Sequence, residues 1–111
     1  MYYRFIMKKD KIMTTPTKIE LPIDYEKSSF ATRRQARQEY VRLQEGNCHF
    51  CLSSLDDKPP PEITNKKINW DLFPPFFLKH PIHLHHCHKT NLTIGAVHAY
   101  CNAVLWQYFG E

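Results

Sequence analysis

Residues 83–102 read HLHHCHKTNLTIGAVHAYCN, and this stretch decides the fold that the sequence predicts. The segment Pro81–His86 is short and apolar at alternate positions, which is typical of a strand. Leu92–Ile94 is a second strand candidate, and Ala96–Phe109 has no proline and no internal glycine, which favours a helix. The order strand, loop, strand, helix therefore indicates a small α+β domain.

Two short pairs of metal-ligating residues accompany this stretch. Cys48 and Cys51 form a C-x2-C pair, and His98 and Cys101 form an H-x2-C pair that begins 47 residues after the first pair ends. Zinc prefers four tetrahedral nitrogen and sulfur ligands, and each pair can supply two of them from one turn. The spacing predicts a structural zinc site with all four positions filled by protein. In the alternative interpretation, Cys51 and Cys101 are small buried apolar side chains and His98 lies on a helix surface.

A histidine-rich tract lies ahead of the second pair. Four imidazoles fall within the six residues His83–His88. Adjacent imidazoles can divide the work of phosphodiester hydrolysis, because one binds a divalent ion while the next accepts a proton from water. Asn102 offers a second ligand, since a helix that includes His98 would carry both on one face; as an alternative, Asn102 is an ordinary polar surface residue. We expect a structural or supporting role for His83 and no chemical role for His49 and His80.

Residues 85–102, taken with the upstream C-x2-C pair, resemble the core of the HNH superfamily, specifically its recombination endonuclease VII-like branch. That branch combines an upstream C-x2-C with D-H-x-H-x-T-G and then R-G-x-x-C-x-x-C-N. The resemblance covers about residues 46–106. It implies a ββα-metal fold, also called the His-Me finger. In that fold two short strands and a helix hold one catalytic divalent ion, and zinc clamps the helix to the upstream loop.

The resemblance implies a role for each matching residue. His85 takes the position of the first ligand of the catalytic ion, and Asn102 takes the second. His86 takes the general-base position, and His88 takes that of an auxiliary histidine near the scissile phosphate. The four zinc positions are those of Cys48, Cys51, His98 and Cys101. The branch usually has cysteine at the position of His98, arginine at that of Ile94 and glycine at that of Asn91.

The histidine at position 85 stands where the branch often has aspartate. This replacement removes one negative charge from the ligand set of the catalytic ion. We therefore expect a weaker preference for Mg²⁺ and a stronger one for Mn²⁺, Ni²⁺ or Zn²⁺.

Positive charge is concentrated in the first part of the chain. The net charge is +4, and residues 1–42 hold ten Lys or Arg against five Asp or Glu. Capping signals at Ser29 or Thr32 and at Gly46 predict a basic amphipathic helix over about residues 31–44. The candidates for contact with the DNA backbone are Arg33, Arg34, Arg37, Arg42 and Lys89. A charge-rich helix face is also typical of a helix side that faces only solvent.

The chain divides into two predicted parts. Residues 1–28 lack a clear period and are interrupted by Pro16 and Pro22, which predicts a basic N-terminal arm. Residues 29–111 form the predicted HNH domain, with the basic helix, a zinc loop at 46–55 and a ββα-metal core at about 81–109.

Two segments connect these parts of the predicted domain. Residues 56–69 are polar and contain three consecutive prolines, which predicts a loop or linker. Residues 70–78 are rich in aromatic and aliphatic side chains, and we expect them to supply much of the core.

The composition also limits location and partners. No apolar run approaches the ~20 residues that cross a bilayer, and the first residues lack the apolar segment of a signal peptide. We expect a soluble cytoplasmic protein with reduced cysteines, in the host cytoplasm if it is phage-encoded, and no membrane partner. Trp106, Tyr108 and Phe109 form either the face of a homodimer or part of the core.

Two functions from different classes fit these residues. The first, implied by the resemblance, is a metal-dependent DNA endonuclease with a structural zinc and a catalytic ion such as Mg²⁺, Mn²⁺ or Ni²⁺. The second is a zinc-stabilised nucleic-acid-binding module without catalysis. A nuclease needs both His86 and Asn102, whereas a binding module needs neither. A metal storage or sensor protein ranks last, because it explains neither the position of Asn102 nor the basic segment.

Overall fold

The computed structural model describes residues 19–111, which form an α+β structure with one two-stranded sheet. The regular elements are helix α1 (Phe30–Leu43), helix α2 (Pro61–Thr64), strand β1 (Ile82–His86), strand β2 (Thr93–His98) and helix α3 (Ala99–Phe109). Short 3₁₀ turns lie at Trp70–Leu72 and Phe77–Lys79. The predicted α+β class and the order of two strands followed by a helix are confirmed, and the first 18 residues of the predicted arm lie outside the described part.

The two strands pair antiparallel. Leu84 lies opposite Ala96, and the register shifts between His85 and His86 at the end of β1. Asn91, in the connecting turn, has a φ of 63°. Asparagine and glycine are the residues that adopt this left-handed conformation at least cost, which explains why asparagine is tolerated at this position of the turn.

Strand β2 is longer than the sequence predicted, and α3 is shorter. Residues 96–98 pair with β1 rather than opening the helix, so α3 begins at Ala99. The prediction of a helix from Ala96 was wrong because strand pairing outweighs the helix propensity of an alanine-rich stretch. His98 thus ends the strand, with extended backbone at φ −60° and ψ 149°, and the helix turns away directly after it.

Other parts of the chain occupy the outer edge of β2. The backbone N–H of Thr93 donates to the carbonyl of Ile23 at 3.0 Å, and Asp24 forms an antiparallel bridge with Leu92. Further along, the Gln44 side-chain amide pairs with both the N–H and the C=O of Ala96, each at 2.9 Å. Part of the segment predicted as an arm, and the end of α1, are therefore bonded to the sheet.

Helix α1 matches the predicted basic helix to within one residue at each end. The Ser29 side chain caps it by accepting from the N–H of Thr32 at 3.1 Å. It ends where Glu45 and Gly46 turn left-handed and the N–H of Gly46 donates to the carbonyl of Val41 at 2.9 Å.

The core surrounds two of the candidate zinc ligands. Its buried members are Cys48, Leu55, Ile63, Ala96, Val97, Cys101, Val104 and Leu105. The segment 56–69 is not wholly irregular, because it contains α2, which contributes Ile63 to the core. A core this small gains much from a metal cross-link.

The aromatic segment 70–78 contributes less to the core than predicted. Trp70, Leu72, Phe76 and Leu78 are each at least 40% exposed. These side chains lie at the surface because prolines 74 and 75 and two 3₁₀ turns bend the segment across α3 rather than into the core. Trp106, Tyr108 and Phe109 are also exposed, at 43%, 46% and 58%, so they are surface residues. None of the helices within residues 19–111 has the length and apolar character needed to cross a membrane.

Candidate functional site

The four predicted zinc ligands lie together in one cluster. The ligand atoms of Cys48, Cys51, His98 and Cys101 all lie within 4.8 Å of one another. His98 Nδ1 lies 3.4 Å from the Sγ of Cys51 and 3.6 Å from the Sγ of Cys101. Ligands on a tetrahedral zinc with bonds of about 2.0–2.3 Å are separated by about 3.5 Å, so the cluster could hold a zinc ion.

The orientation of His98 supports metal binding through Nδ1. Its Nε2–H donates to the backbone carbonyls of Ser54 and Asp57, each at 2.9 Å. The proton therefore lies on Nε2, which leaves the Nδ1 lone pair directed at the cysteines. A backbone acceptor on the second ring nitrogen is the usual companion of a metal-ligating histidine.

The Cys48 sulfur is surrounded by hydrogen-bond donors. It accepts from the backbone N–H groups of Phe50 at 3.4 Å and Cys51 at 3.5 Å. A hydrogen bond from the Cys101 thiol, aided by these N–H groups, lowers the pKa of Cys48 to about 4, whereas the same contact raises the pKa of Cys101. The Cys101 contact is the main cause of the lowered pKa of Cys48 and the N–H groups of the loop add to it, which favours the thiolate, the form that binds zinc. All four cysteines are free thiols, and Cys87 lies outside the cluster.

A second group of predicted residues lines a separate cleft of about 290 Å³, here called the histidine cleft. Its walls are formed by Leu72, Phe73, Phe77, His85, His86, His88, Asn102, Trp106 and Glu111. The structure thus brings together the four residues predicted for catalysis and the catalytic ion. The reasoning that placed Asn102 on one helix face with His98 was wrong, because His98 precedes the helix. Instead, Cys101 belongs to the cluster, and the next residue, Asn102, lines the histidine cleft.

The Asn102 side chain is oriented by His83. His83 Nε2–H donates to the carbonyl of Phe77 at 2.9 Å, and its Nδ1 accepts from the Asn102 amide at 3.1 Å. Burial lowers the pKa of His83, which keeps the ring neutral and able to accept. The Asn102 Nδ2 is engaged in this way, and Oδ1 remains available to a ligand. The supporting role expected for His83 agrees with this contact.

Glu111 was missed by the sequence analysis. The Oε1 atom of Glu111 lies 3.6 Å from Nε2 of His85, whose side chain is buried. Gly110 turns left-handed at φ 75°, and the Glu111 N–H donates to the carbonyl of Leu105 at 3.0 Å, so the chain folds back toward the sheet. No local pattern could have indicated this contact, because it depends on the reversal at the end of α3. Burial lowers the pKa of His85, so the ring is a neutral nitrogen donor.

His86 lies between two aromatic neighbours. Its ring stacks on Tyr25 at a centroid distance of 4.0 Å and an angle of 9°, and His88 approaches edge-on at 4.7 Å. Burial, followed by the neighbouring His88, lowers the pKa of His86 to about 4. The imidazole is therefore neutral at neutral pH, which is the protonation state of a general base.

A larger cleft of about 590 Å³, here called the arginine cleft, lies against the other side of His86 and Asn102. Arg33, Arg34 and Arg37 from α1 line it. The other two predicted contacts with DNA are placed elsewhere. Arg42 pairs with Glu39, with its Nε–H donating to Oε1 at 3.0 Å, and Lys89 lies exposed in the turn between the strands.

Comparison with known proteins finds no matching family model, no matching curated protein and no matching solved structure. The functional conclusions below therefore depend on the geometry of the two sites.

Proposed function

We propose that this protein is a metal-dependent DNA endonuclease of the HNH type, with a structural zinc and one catalytic divalent ion. One observation supports this function above all others. His86 and Asn102 line both the histidine cleft and the arginine cleft, so a candidate base and a candidate metal ligand lie beside three arginines. Guanidinium groups bind phosphate with charge-assisted hydrogen bonds, so a phosphodiester held by them would lie next to the base.

The zinc would have a structural role in this enzyme. The ligands Cys48, Cys51, His98 and Cys101 form a closed set of four, which is the arrangement of structural zinc sites. Zinc there would join the loop at residues 46–55 to the junction of β2 and α3. Since Asn102 follows Cys101, the same cross-link would fix the start of the helix that carries Asn102.

The catalytic ion would be held by nitrogen and oxygen donors in the histidine cleft. His85 Nε2 and Asn102 Oδ1 are the two predicted ligands, and the Glu111 carboxylate supplies a negative charge 3.6 Å from His85. This donor set suits Mn²⁺ or Ni²⁺, and its few protein ligands leave positions for phosphate and water. A bound divalent ion would stabilise the negative charge that develops on the phosphate oxygens.

The chain's own residues would carry the other steps. Neutral His86 accepts a proton from the attacking water as the water oxygen forms its bond to phosphorus. The bond between phosphorus and the leaving deoxyribose oxygen breaks, and that oxygen takes a proton from solvent. Arg33, Arg34 and Arg37 would hold the non-bridging oxygens, and His88, which is exposed and lines the histidine cleft, would contact the phosphate.

Nicking of supercoiled plasmid tests this function directly. The wild-type protein, His86→Ala and the control His49→Ala are compared with Mg²⁺, Mn²⁺, Ni²⁺ or Zn²⁺. His49 is an exposed histidine that lines neither cleft, so its removal tests the effect of losing an imidazole elsewhere. We expect His86→Ala to lower the rate by about 10²–10⁴-fold and His49→Ala to retain it.

Two results would contradict the proposal. If the wild-type protein binds DNA but cuts it with none of these ions, the function is that of a non-catalytic binding module. If His86→Ala cuts as fast as the wild type, the base is another residue or the activity is a contaminant.

A further inference from the structure

Three flat groups form a stack that ends on His86. The Arg33 guanidinium lies 4.0 Å from the centroid of the Tyr25 ring. The Tyr25 ring in turn lies 4.0 Å from the His86 imidazole, and these two rings are nearly parallel at 9°. Arginine, tyrosine and histidine therefore come from three different parts of the chain, namely α1, the segment before it and β1.

Tyr25 is fixed on both sides of its backbone. Its N–H donates to the carbonyl of Asn91 at 2.7 Å, and its own carbonyl accepts from Arg33 Nε–H at 2.7 Å. The preceding residue, Asp24, bridges to Leu92. The ring is thus held by the turn between the strands and by α1 together, so it cannot shift without breaking contacts to both.

His86 has no comparable anchor of its own. Within residues 19–111 neither of its ring nitrogens makes a hydrogen bond to protein, and the register of β1 shifts at this residue. A histidine that acts as a base is commonly oriented by a hydrogen bond from its second nitrogen to a carbonyl or carboxylate. Of the two rings against His86 in the described part of the chain, Tyr25 is the nearer, at 4.0 Å between centroids compared with 4.7 Å for His88, and it alone lies parallel to the imidazole.

We propose that Tyr25, braced by Arg33, is the positioning residue for His86. Stacking fixes the plane of the imidazole and leaves both nitrogens open, one toward the attacking water and the other toward solvent. An aromatic pair in this geometry is favourable beyond the area that it buries, which favours one ring orientation over others. The catalytic consequence rests on the proposed function of His86 as the base, whereas the orientation of the ring does not.

The variants Tyr25→Phe, Tyr25→Leu and Tyr25→Ala separate the ring from its hydroxyl and from its volume. NMR of the histidine ring protons, with the His86 signals assigned by their loss in His86→Ala, reports the stacking directly. A proton above an aromatic face is shifted upfield by the ring current. We expect this upfield shift in the wild type and in Tyr25→Phe, and we expect it to be lost in Tyr25→Leu and Tyr25→Ala.

Nicking kinetics on the same variants give the second readout. Misplacing a catalytic group by about 1 Å can cost on the order of 10²-fold, so we expect Tyr25→Leu and Tyr25→Ala to lower kcat by about 10- to 100-fold with KM little changed. Tyr25→Phe should retain most of the activity. Tyr25→Leu keeps apolar volume on the site, and its zinc content and thermal unfolding verify that the fold is intact.

The outcomes distinguish the inference from the proposed function. If the His86 signals are the same in Tyr25→Leu as in the wild type, Tyr25 does not position the ring and the inference fails. It also fails if the signals move but kcat is unchanged or rises, because Tyr25 would then be a cover over His86. If the wild type cuts no DNA and the ring-current shift still depends on Tyr25, the proposed nuclease function fails and the positioning of His86 stands.

Discussion

The zinc-ligand cluster and the histidine cleft share helix α3, which carries Cys101 of the cluster and Asn102 of the cleft, yet they differ in access. Cys48, His98 and Cys101 are 1%, 4% and 0% exposed, and backbone groups surround them. In the histidine cleft His86 is half-buried and His88 is exposed. His86 also lines the neighbouring arginine cleft. A closed set of four ligands suits an ion that holds the fold, and an open set suits an ion that must meet a substrate. Under the proposed function, one short stretch would supply ligands for both ions, because the neighbouring residues Cys101 and Asn102 face different sites.

The largest expected effect comes from opening the closed cluster. We expect Cys101→Ser to abolish the cooperative unfolding transition, because structural zinc contributes about 10–16 kcal/mol in small zinc domains and whole domains are stable by only about 5–15 kcal/mol. Circular dichroism on heating and zinc content per chain measure this. The control is Cys87→Ser, which alters a thiol outside the cluster. A Cys101→Ser protein that melts like the wild type would show that the cluster does not hold a structural ion.

A change behind the open site should reduce activity without loss of zinc. His83→Phe removes the acceptor of the Asn102 amide but keeps a ring against Phe77, whose ring centroid lies 4.6 Å from that of His83. Partners that orient metal ligands are worth about 10- to 100-fold in affinity or activity, so we expect the nicking rate to fall by that factor. Zinc content and unfolding temperature should stay near those of the wild type. Unchanged nicking would mean that Asn102 needs no orientation by His83.

The charge at the open site can be tested through metal affinity alone. We expect Glu111→Gln to weaken Mn²⁺ binding by about tenfold or more, because the other donors at the site are neutral. Trp106 lines the cleft, so quenching of its fluorescence by Mn²⁺ reports binding, in a Trp70→Phe background that removes the other tryptophan. Equal affinity in the two proteins would place Glu111 outside the ion's surroundings. Titration with Mg²⁺ in the same fluorescence assay tests a separate expectation. Because position 85 is histidine, we expect Mg²⁺ to bind more weakly than Mn²⁺.

The smallest effect should come from single arginines of α1. In a His86→Ala background that does not cut, we expect Arg37→Ala to weaken DNA binding and to reduce the slope of log affinity against log salt by about 0.9. Arg42→Ala is the matched control, since this arginine lies away from the arginine cleft and is paired with Glu39. Equal slopes for the two variants would indicate that the arginine cleft does not contact the phosphate backbone.

Parts of the site that depend on spacing within the chain could be predicted from the sequence. The two pairs of zinc ligands and the basic helix follow from short-range patterns, whereas the expectation that His85, His86 and Asn102 meet came from the resemblance. The boundary between β2 and α3 was wrong, because pairing with β1 decided the conformation of residues 96–98.

Contacts that join distant parts of the chain left no signal in the sequence. Tyr25 reaches His86 only because residues 23–25 bond to the start of β2 and its connecting turn. Glu111 reaches His85 only because the chain reverses at Gly110. The aromatic residues of the segment 70–78 were placed in the core because hydrophobicity alone does not distinguish core from the wall of a cleft.

The bonds along the outer edge of β2 have a consequence for aggregation. An unpaired strand edge offers free N–H and C=O groups to the strands of other chains, and proteins block such edges in several ways. Here a short backbone segment before α1 bonds to Thr93, and the side-chain amide of Gln44 together with the backbone N–H of His49 bonds to Ala96. Gln44→Leu would therefore leave the N–H of Ala96 without its partner, while the carbonyl keeps its bond from His49, and we expect more intermolecular strand pairing at high concentration.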